Sequence, residues 1–392
     1  MGNEKQQSFS PFAKHFNSYS HLSYALQSVF FVLGLSLGII ISTCLRSLFS
    51  NLEPTLFSLL PPSPPPPSVD QPPAPLSPPQ SSLSSSPPVP VEARGDQLHN
   101  MEDEELFWRA SMVPQIGEFP YKRVPKVAFM FLTKGPMPLG PLWEIFFKGH
   151  QGLYSIYLHP HPSYNHSVPQ DSVFYGRRVP TKEVKWGTSS MIDAERRLLA
   201  NALLDLSNER FILLSETCIP LFNFTTIYNY LINTDQTHVA SYDDPRKVGR
   251  GRYNLLMSPE ISLSQWRKGS QWFEVNRRIA IKIISDNKYY PIFTQFCRPP
   301  CYMDEHYIPT LMNVFGVVEN SNRTITWVDW SKSGPHPERF IRQDVSEEFL
   351  DRIRFGSNCS YNGNVTDMCF LFARKFVANT LQPLLRIRGL VT

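Results

Sequence analysis

The densest group of chemically capable side chains is CRPPCYMDEHYIPT, residues 297–310, where two cysteines flank a Pro-Pro turn and Asp304, Glu305 and His306 follow together. One carboxylate there suits the removal of a proton from an attacking hydroxyl. That role wants a pKa nearer neutrality than a solvated glutamate has, as partial burial among aromatics provides. A helix N-terminus explains the same residues differently, with Asp304 as N-cap, Glu305 favourable against the helix dipole and YIPTLMN following. The two readings are compatible. A zinc site from Cys297, Cys301 and His306 fits less well, because the CxxxC spacing is loose and no second cysteine pair lies near.

A second feature is an absence. Asp-x-Asp, with which many sugar transferases hold a divalent metal on a donor diphosphate, occurs nowhere in the chain. If a nucleotide sugar is the donor, lysine and arginine must neutralise its leaving group. The C-terminal stretch supplies Arg352, Arg354, Arg374 and Lys375, although a solvated basic face explains such residues as well. HPHPSYNH (159–166) carries three histidines after an apolar run, which fit a proline-built turn or the lining of a crevice. Trp327 and Trp330 suit stacking on a sugar ring and suit a core equally.

These residues need a scaffold, and the pattern around them predicts α/β. VAFMFLT (127–133), LYSIYLH (153–159) and RFILLSE (210–216) are short apolar runs of the kind buried on both faces of a parallel sheet. Between them, PLWEIFFKGH and TSSMIDAERRLLANALLDL (188–206) have helical spacing, with Ser190 as N-cap of the second. FTTIYNYLIN and NRRIAIKIISD predict further helices, WFEV a short strand, and EDEELFWRA a short helix ahead of the domain. In open α/β sheets ligands bind outside the carboxyl ends of the strands, which gathers Thr133, His159 and Ser215-Glu216 around one crevice.

Residues 25–45 carry no charge over 21 positions, enough to cross a hydrocarbon core of roughly 30 Å as a helix. They predict a transmembrane signal anchor after a cytoplasmic tail of residues 1–24. Residues 46–119 form the expected stem: Pro54 to Pro90 is dominated by proline and serine and cannot bury enough apolar area to fold, so it serves as a spacer or as a ligand for a proline-binding domain. Sequons at Asn165, Asn223, Asn322, Asn358 and Asn364 all follow the anchor, which places the C-terminal side in the secretory lumen as a type II protein. Of six cysteines, Cys44 falls in the anchor, so one of the other five is free or pairs between chains if the compartment is oxidising. The net charge of +4 is modest and no basic run carries interleaved aromatics, which argues against nucleic acid as a partner.

In order, VAFMFLTKGPMPLGPLW, VKWGTSSMIDAERRLLANALLD, FILLSETCIPL, CYMDEHYIPTLM, TWVDWSKSGPHP and CFLFARKF resemble the plant branch of the core-2/I-branching β-1,6-N-acetylglucosaminyltransferase family, over about residues 125–385. The resemblance implies a variant GT-A, Rossmann-like glycosyltransferase domain over 120–392, in a type II Golgi membrane protein that inverts the anomeric centre and needs no metal. It implies Glu305 as general base and Lys375 on the diphosphate of a UDP-sugar, with Arg354, or Arg352, as the partner arginine. It places Thr133, His159 and Trp186 at the nucleotide, where the animal enzymes have an aspartate at the position of His159. Asp244, Trp327 and Trp330 fall near the site of a glycan acceptor. No disulfide pattern transfers. The expected function is transfer of a sugar from a UDP-sugar to a glycan hydroxyl, with no cofactor. The alternatives are a non-catalytic luminal carbohydrate-binding or assembly protein of the same fold, and a glycosidase, for which adjacent Asp304 and Glu305 make a poor carboxylate pair.

Overall fold

The computed structural model describes residues 29–34, 36, 98–116, 119–332, 334–387 and 389–390. The expected cytoplasmic tail, most of the expected anchor and the stem up to residue 97 lie outside these residues. Residues 29–34 are helical with exposed apolar side chains, and no helix among the described residues is long and apolar enough to cross a membrane.

The folded unit begins with α1 (Asp103–Ser111), followed by β1 (Lys126–Leu132), α2 (Gly140–Phe147), β2 (Tyr154–His159), α3 (Ser189–Leu203) and β3 (Asn208–Ser215). Next come β4 (Ile219–Pro220), α4 (Phe224–Asn233), β5 (Glu274–Asn276), α5 (Arg277–Ile284), α6 (Tyr289–Phe296) and α7 (Tyr307–Val314). The chain ends with β6 (Thr326–Val328), α8 (Glu347–Phe355), the hairpin β7 (Cys359–Tyr361) and β8 (Asn364–Thr366), β9 (Phe372–Arg374) and α9 (Leu381–Leu384). The main sheet has the order β2-β1-β3-β5, parallel except for β5. A second sheet, β4-β9-β6, carries the C-terminal strand.

The apolar runs become central strands because both faces of the sheet are covered. Along β1, Ala128 and Met130 enter one core while Val127, Phe129 and Phe131 enter the other, the period-two alternation of a strand. The first core is closed by α3 and α5, through residues such as Ile192, Leu199, Ile279 and Ile283. The second is closed by α2, α4 and β9, with Trp143, Phe146, Phe147 and Phe224 around the ring of Phe129. Chain order runs from β1 outward to β2 and then back past β1 to β3, with α2 and α3 on opposite faces. Such a reversal leaves a crevice at the carboxyl end of β1. Leu132 pairs there with both His159 and Ser215, and the Thr133 N–H donates to His159 O at 3.1 Å.

Three local expectations differ from the structure. Thr188, not Ser190, precedes α3, because the Ser190 hydroxyl accepts from the Lys185 N–H at 2.8 Å and caps the turn before the helix. Asp304 does not cap α7: it lies inside a 3-10 turn, Met303–Glu305, and His306 takes the position before the helix. The folded unit also reaches back into the expected stem. Leu106 and Ala110 of α1 join the first core, and Asp103 receives a bidentate ion pair from Arg197 of α3.

Candidate active site

Cysteines 297 and 301 are bonded to each other, so neither thiolate is available to a metal; Cys359 and Cys369 form a second disulfide and Cys218 is a buried free thiol. Beyond Cys301, Tyr302 turns into the left-handed region at φ 53°, and the 3-10 turn then presents Asp304 and Glu305. Gly269 lets this turn approach: its N–H donates to Glu305 O at 2.8 Å, and a Cβ there would stand 1.8 Å from Ala240 O.

The Glu305 side chain is half-buried, and both of its protein hydrogen bonds fall on Oε2, from Arg252 Nη1 at 2.5 Å and Lys268 Nζ at 2.8 Å. Burial pushes its pKa up, but Lys268 and Arg252 outweigh this and hold it below the ordinary value. The expectation that burial would lift this carboxylate toward neutrality is therefore reversed. The lifted group is its neighbour. Asp304 is 7% exposed with Oδ1 lacking a protein partner, and burial, aided by the charge of Glu305, raises its pKa to about 6. Glu305 is thus an oriented, ionised carboxylate, as a base must be at the start of a reaction, with basicity traded for position.

The other end of the site gathers cations. Phe340 N–H donates to Lys375 O at 2.9 Å, which brings Arg339 beside Lys375 at the end of β9. Burial lowers the Lys375 pKa, and the like charges of Arg374, Arg339 and Lys134 lower it further, with Glu216 the opposing carboxylate. The Arg374 guanidinium lies over the Trp272 ring at 3.9 Å. Lys134, Arg339, Arg374 and Lys375, with Glu216 among them, gather positive charge that suits a diphosphate.

The remaining expected positions divide. Thr133 and His159 meet at the crevice. His159 is 1% exposed, neither ring nitrogen has a protein partner, and burial, with the charge of Arg197, lowers its pKa to about 3, so it is neutral. A cavity of about 580 Å³ opens beside Thr133, walled by Met137, Leu158, Tyr164 and Phe174. Trp186 is exposed and its ring lies 4.8 Å from Tyr302 and 5.4 Å from His336. Arg354 is not brought to Lys375: its guanidinium is buried, donating to Leu221 O at 2.6 Å and Asp351 Oδ1 at 3.1 Å over the Phe222 ring. The arginines whose charges act on Lys375 are Arg374 and Arg339. Arg352, the alternative, is exposed on α8 beside Phe349.

Asp244, expected near the acceptor, is not free. Arg246 binds it bidentately and holds its pKa down at about 2. It organises the loop through residue 252, the Arg250 N–H donating to its carbonyl at 2.7 Å. Trp327 goes to packing, stacked on Phe340 at 5.7 Å, whereas Trp330 is 53% exposed. Among the sequons, Asn165, Asn322, Asn358 and Asn364 are exposed; Asn223 is half-buried and its Oδ1 caps α4 through the Thr226 N–H.

Residue-by-residue reading missed Arg252, Lys268, Tyr302, Lys134 and Arg339. The first two lie between residues 243 and 287, but nothing local pairs them with Glu305 across 53 and 37 residues.

The sequence profile of the Core-2/I-branching enzyme family matches residues 127–354, more than half of the chain and the span that holds Glu305 and both faces of the main sheet. The chain is also 33% identical over 297 residues, 64% of its own length and 73% of the relative's, to Glycosyltransferase BC10 of Oryza sativa subsp. japonica.

Proposed function

The chain belongs to the Core-2/I-branching enzyme family and is a glycosyltransferase; from that premise we propose that it moves a sugar from a UDP-sugar to a glycan hydroxyl with inversion and without a divalent metal. Glu305 accepts the proton of the acceptor hydroxyl as that oxygen attacks the anomeric carbon. The bond to the diphosphate breaks through an oxocarbenium-like state, and UDP leaves with the bonding pair. Lys375, Arg339 and Lys134 offset the charge that develops on it, the work a metal performs elsewhere. The observation that carries this reading is the cluster of Lys134, Arg339, Arg374 and Lys375 around Glu216.

Thr133 and neutral His159 then border the nucleotide, and Trp186 offers it a ring face. Trp330 and the loop held by Asp244 lie toward the acceptor. We place the protein in the Golgi membrane through residues 25–45, with the catalytic domain luminal and the exposed sequons glycosylated; the uncharged span and the one-sided sequons support this.

The full chain, incubated with a panel of UDP-sugars in excess chelator, should bind UDP and turn over at least one donor. Lys375→Ala should weaken UDP binding about tenfold or more, the loss of a charge-assisted contact. Strict dependence on added metal would remove the proposed role of the cations. UDP binding that ignores Lys375→Ala would remove the donor site.

A further inference from the structure

We propose that Tyr302 and Arg252 are a positioning pair that holds the Glu305 carboxylate by one oxygen and ties it to the ring of Trp186. The proposal rests on the reading of Glu305 as the base.

Tyr302 adopts φ 53° and ψ 86°, a left-handed conformation that a bulky residue keeps only where its surroundings demand it. Its surroundings are specific. The ring lies against Gly187, where a Cβ would stand 2.8 Å from Tyr302 Cδ1 and where φ is 75°. One side of the ring meets Trp186 at 4.8 Å, and the Arg252 guanidinium lies over it at 4.6 Å. Arg252 then donates from Nη1 to Glu305 Oε2 at 2.5 Å, with a side chain only 14% exposed. Lys268 reaches the same oxygen from the opposite segment at 2.8 Å. Oε1 is left without a hydrogen bond from the protein, which is the arrangement a base needs if one oxygen is to receive an acceptor proton. The strained backbone, the glycine and the shared guanidinium have one economical purpose: a fixed base linked through Arg252 and Tyr302 to the Trp186 ring.

The other titratable groups that sense Glu305 are Asp304 beside it, Tyr242 from the acceptor loop and His306 at the head of α7. None of them bonds its carboxylate, so Arg252 and Lys268 dominate its titration. The test compares Arg252→Ala, Tyr302→Ala and Tyr302→Phe in the full chain, reading kcat/KM against pH with a donor found in the panel. Arg252→Ala should move the acid limb upward by about one pH unit or more, the effect of removing an adjacent opposite charge. Tyr302→Ala should move it the same way, and Tyr302→Phe, which keeps the ring, should restore it. A merely structural role would lower the rate at every pH and leave the limb in place, and that result would overturn the proposal.

A second readout needs no substrate. The thermal midpoints of Tyr302→Ala, Glu305→Gln and the double variant should be non-additive, and should become additive once Arg252→Ala is present in all of them. Additivity in both backgrounds, or coupling that persists without Arg252, would equally overturn it. If instead Glu305→Gln left transfer unchanged, the base reading would fail while the coupling result stood apart from it.

Discussion

Neighbouring carboxylates divide the chemistry of the 3-10 turn between them. Glu305 faces two cations and remains ionised, whereas Asp304 faces the core and retains its proton to about pH 6. A folded-state pKa raised above the unfolded value favours the fold while both states are protonated, and that advantage disappears as pH rises through the folded pKa. Asp304 therefore destabilises the protein above about pH 6 relative to its state below pH 4. Asp304→Asn, which cannot ionise, should raise the unfolding midpoint at pH 7.5, by about 1–3 kcal/mol of stability, and change it little at pH 4. A midpoint gain that is equal at the two pH values would show that Asp304 is not the titrating group. The two roles were not separable from the linear motif. Asp and Glu are adjacent in sequence, and their difference comes from the burial of Asp304 and from Arg252 and Lys268, which reach Glu305 from distant segments.

At the scale of elements, the three central strands and most helices were legible because parallel strands buried on both faces must be apolar at every position. Phe224–Asn233 matches the predicted helix, and β1 differs from its predicted run by one residue at each end. What sequence could not show was the cost or gain of tertiary contact. Trp327 and Trp330 look alike in TWVDW, yet only Trp327 lies under Phe340 and Phe349. Arg354 carries the same charge as Arg339, but its helix turns it toward Leu221 O. The helix α1 was legible in EDEELFWRA, but its acidic residues suggest a solvated segment and hid its place in the core, where Leu106 and Ala110 are buried. Its removal has a definite expected cost. A chain shortened to begin at residue 120 should lose about 2–3 kcal/mol of stability against one beginning at residue 98, chiefly the burial of Leu106 in the first core, with the Asp103–Arg197 ion pair lost as well. Equal denaturation midpoints for the two would mean that α1 is dispensable to the fold.

Taken whole, the molecule joins a doubly covered sheet, whose carboxyl edge collects cations, to a loop-built turn that holds one carboxylate between Arg252 and Lys268. The family relation establishes a glycosyltransferase, and the charge arrangement supports the proposed roles of Glu305 and the cation cluster. The most direct test of that division of labour is the transfer rate of the full-length Glu305→Gln variant at saturating donor, with UDP affinity measured on the same preparation. The account predicts a rate lower by about a hundredfold or more with UDP affinity within twofold of the unmodified chain, since the amide cannot take the proton while the cation cluster is untouched. A transfer rate that survives the substitution would contradict it, as would a loss of rate explained by an equal loss of UDP binding.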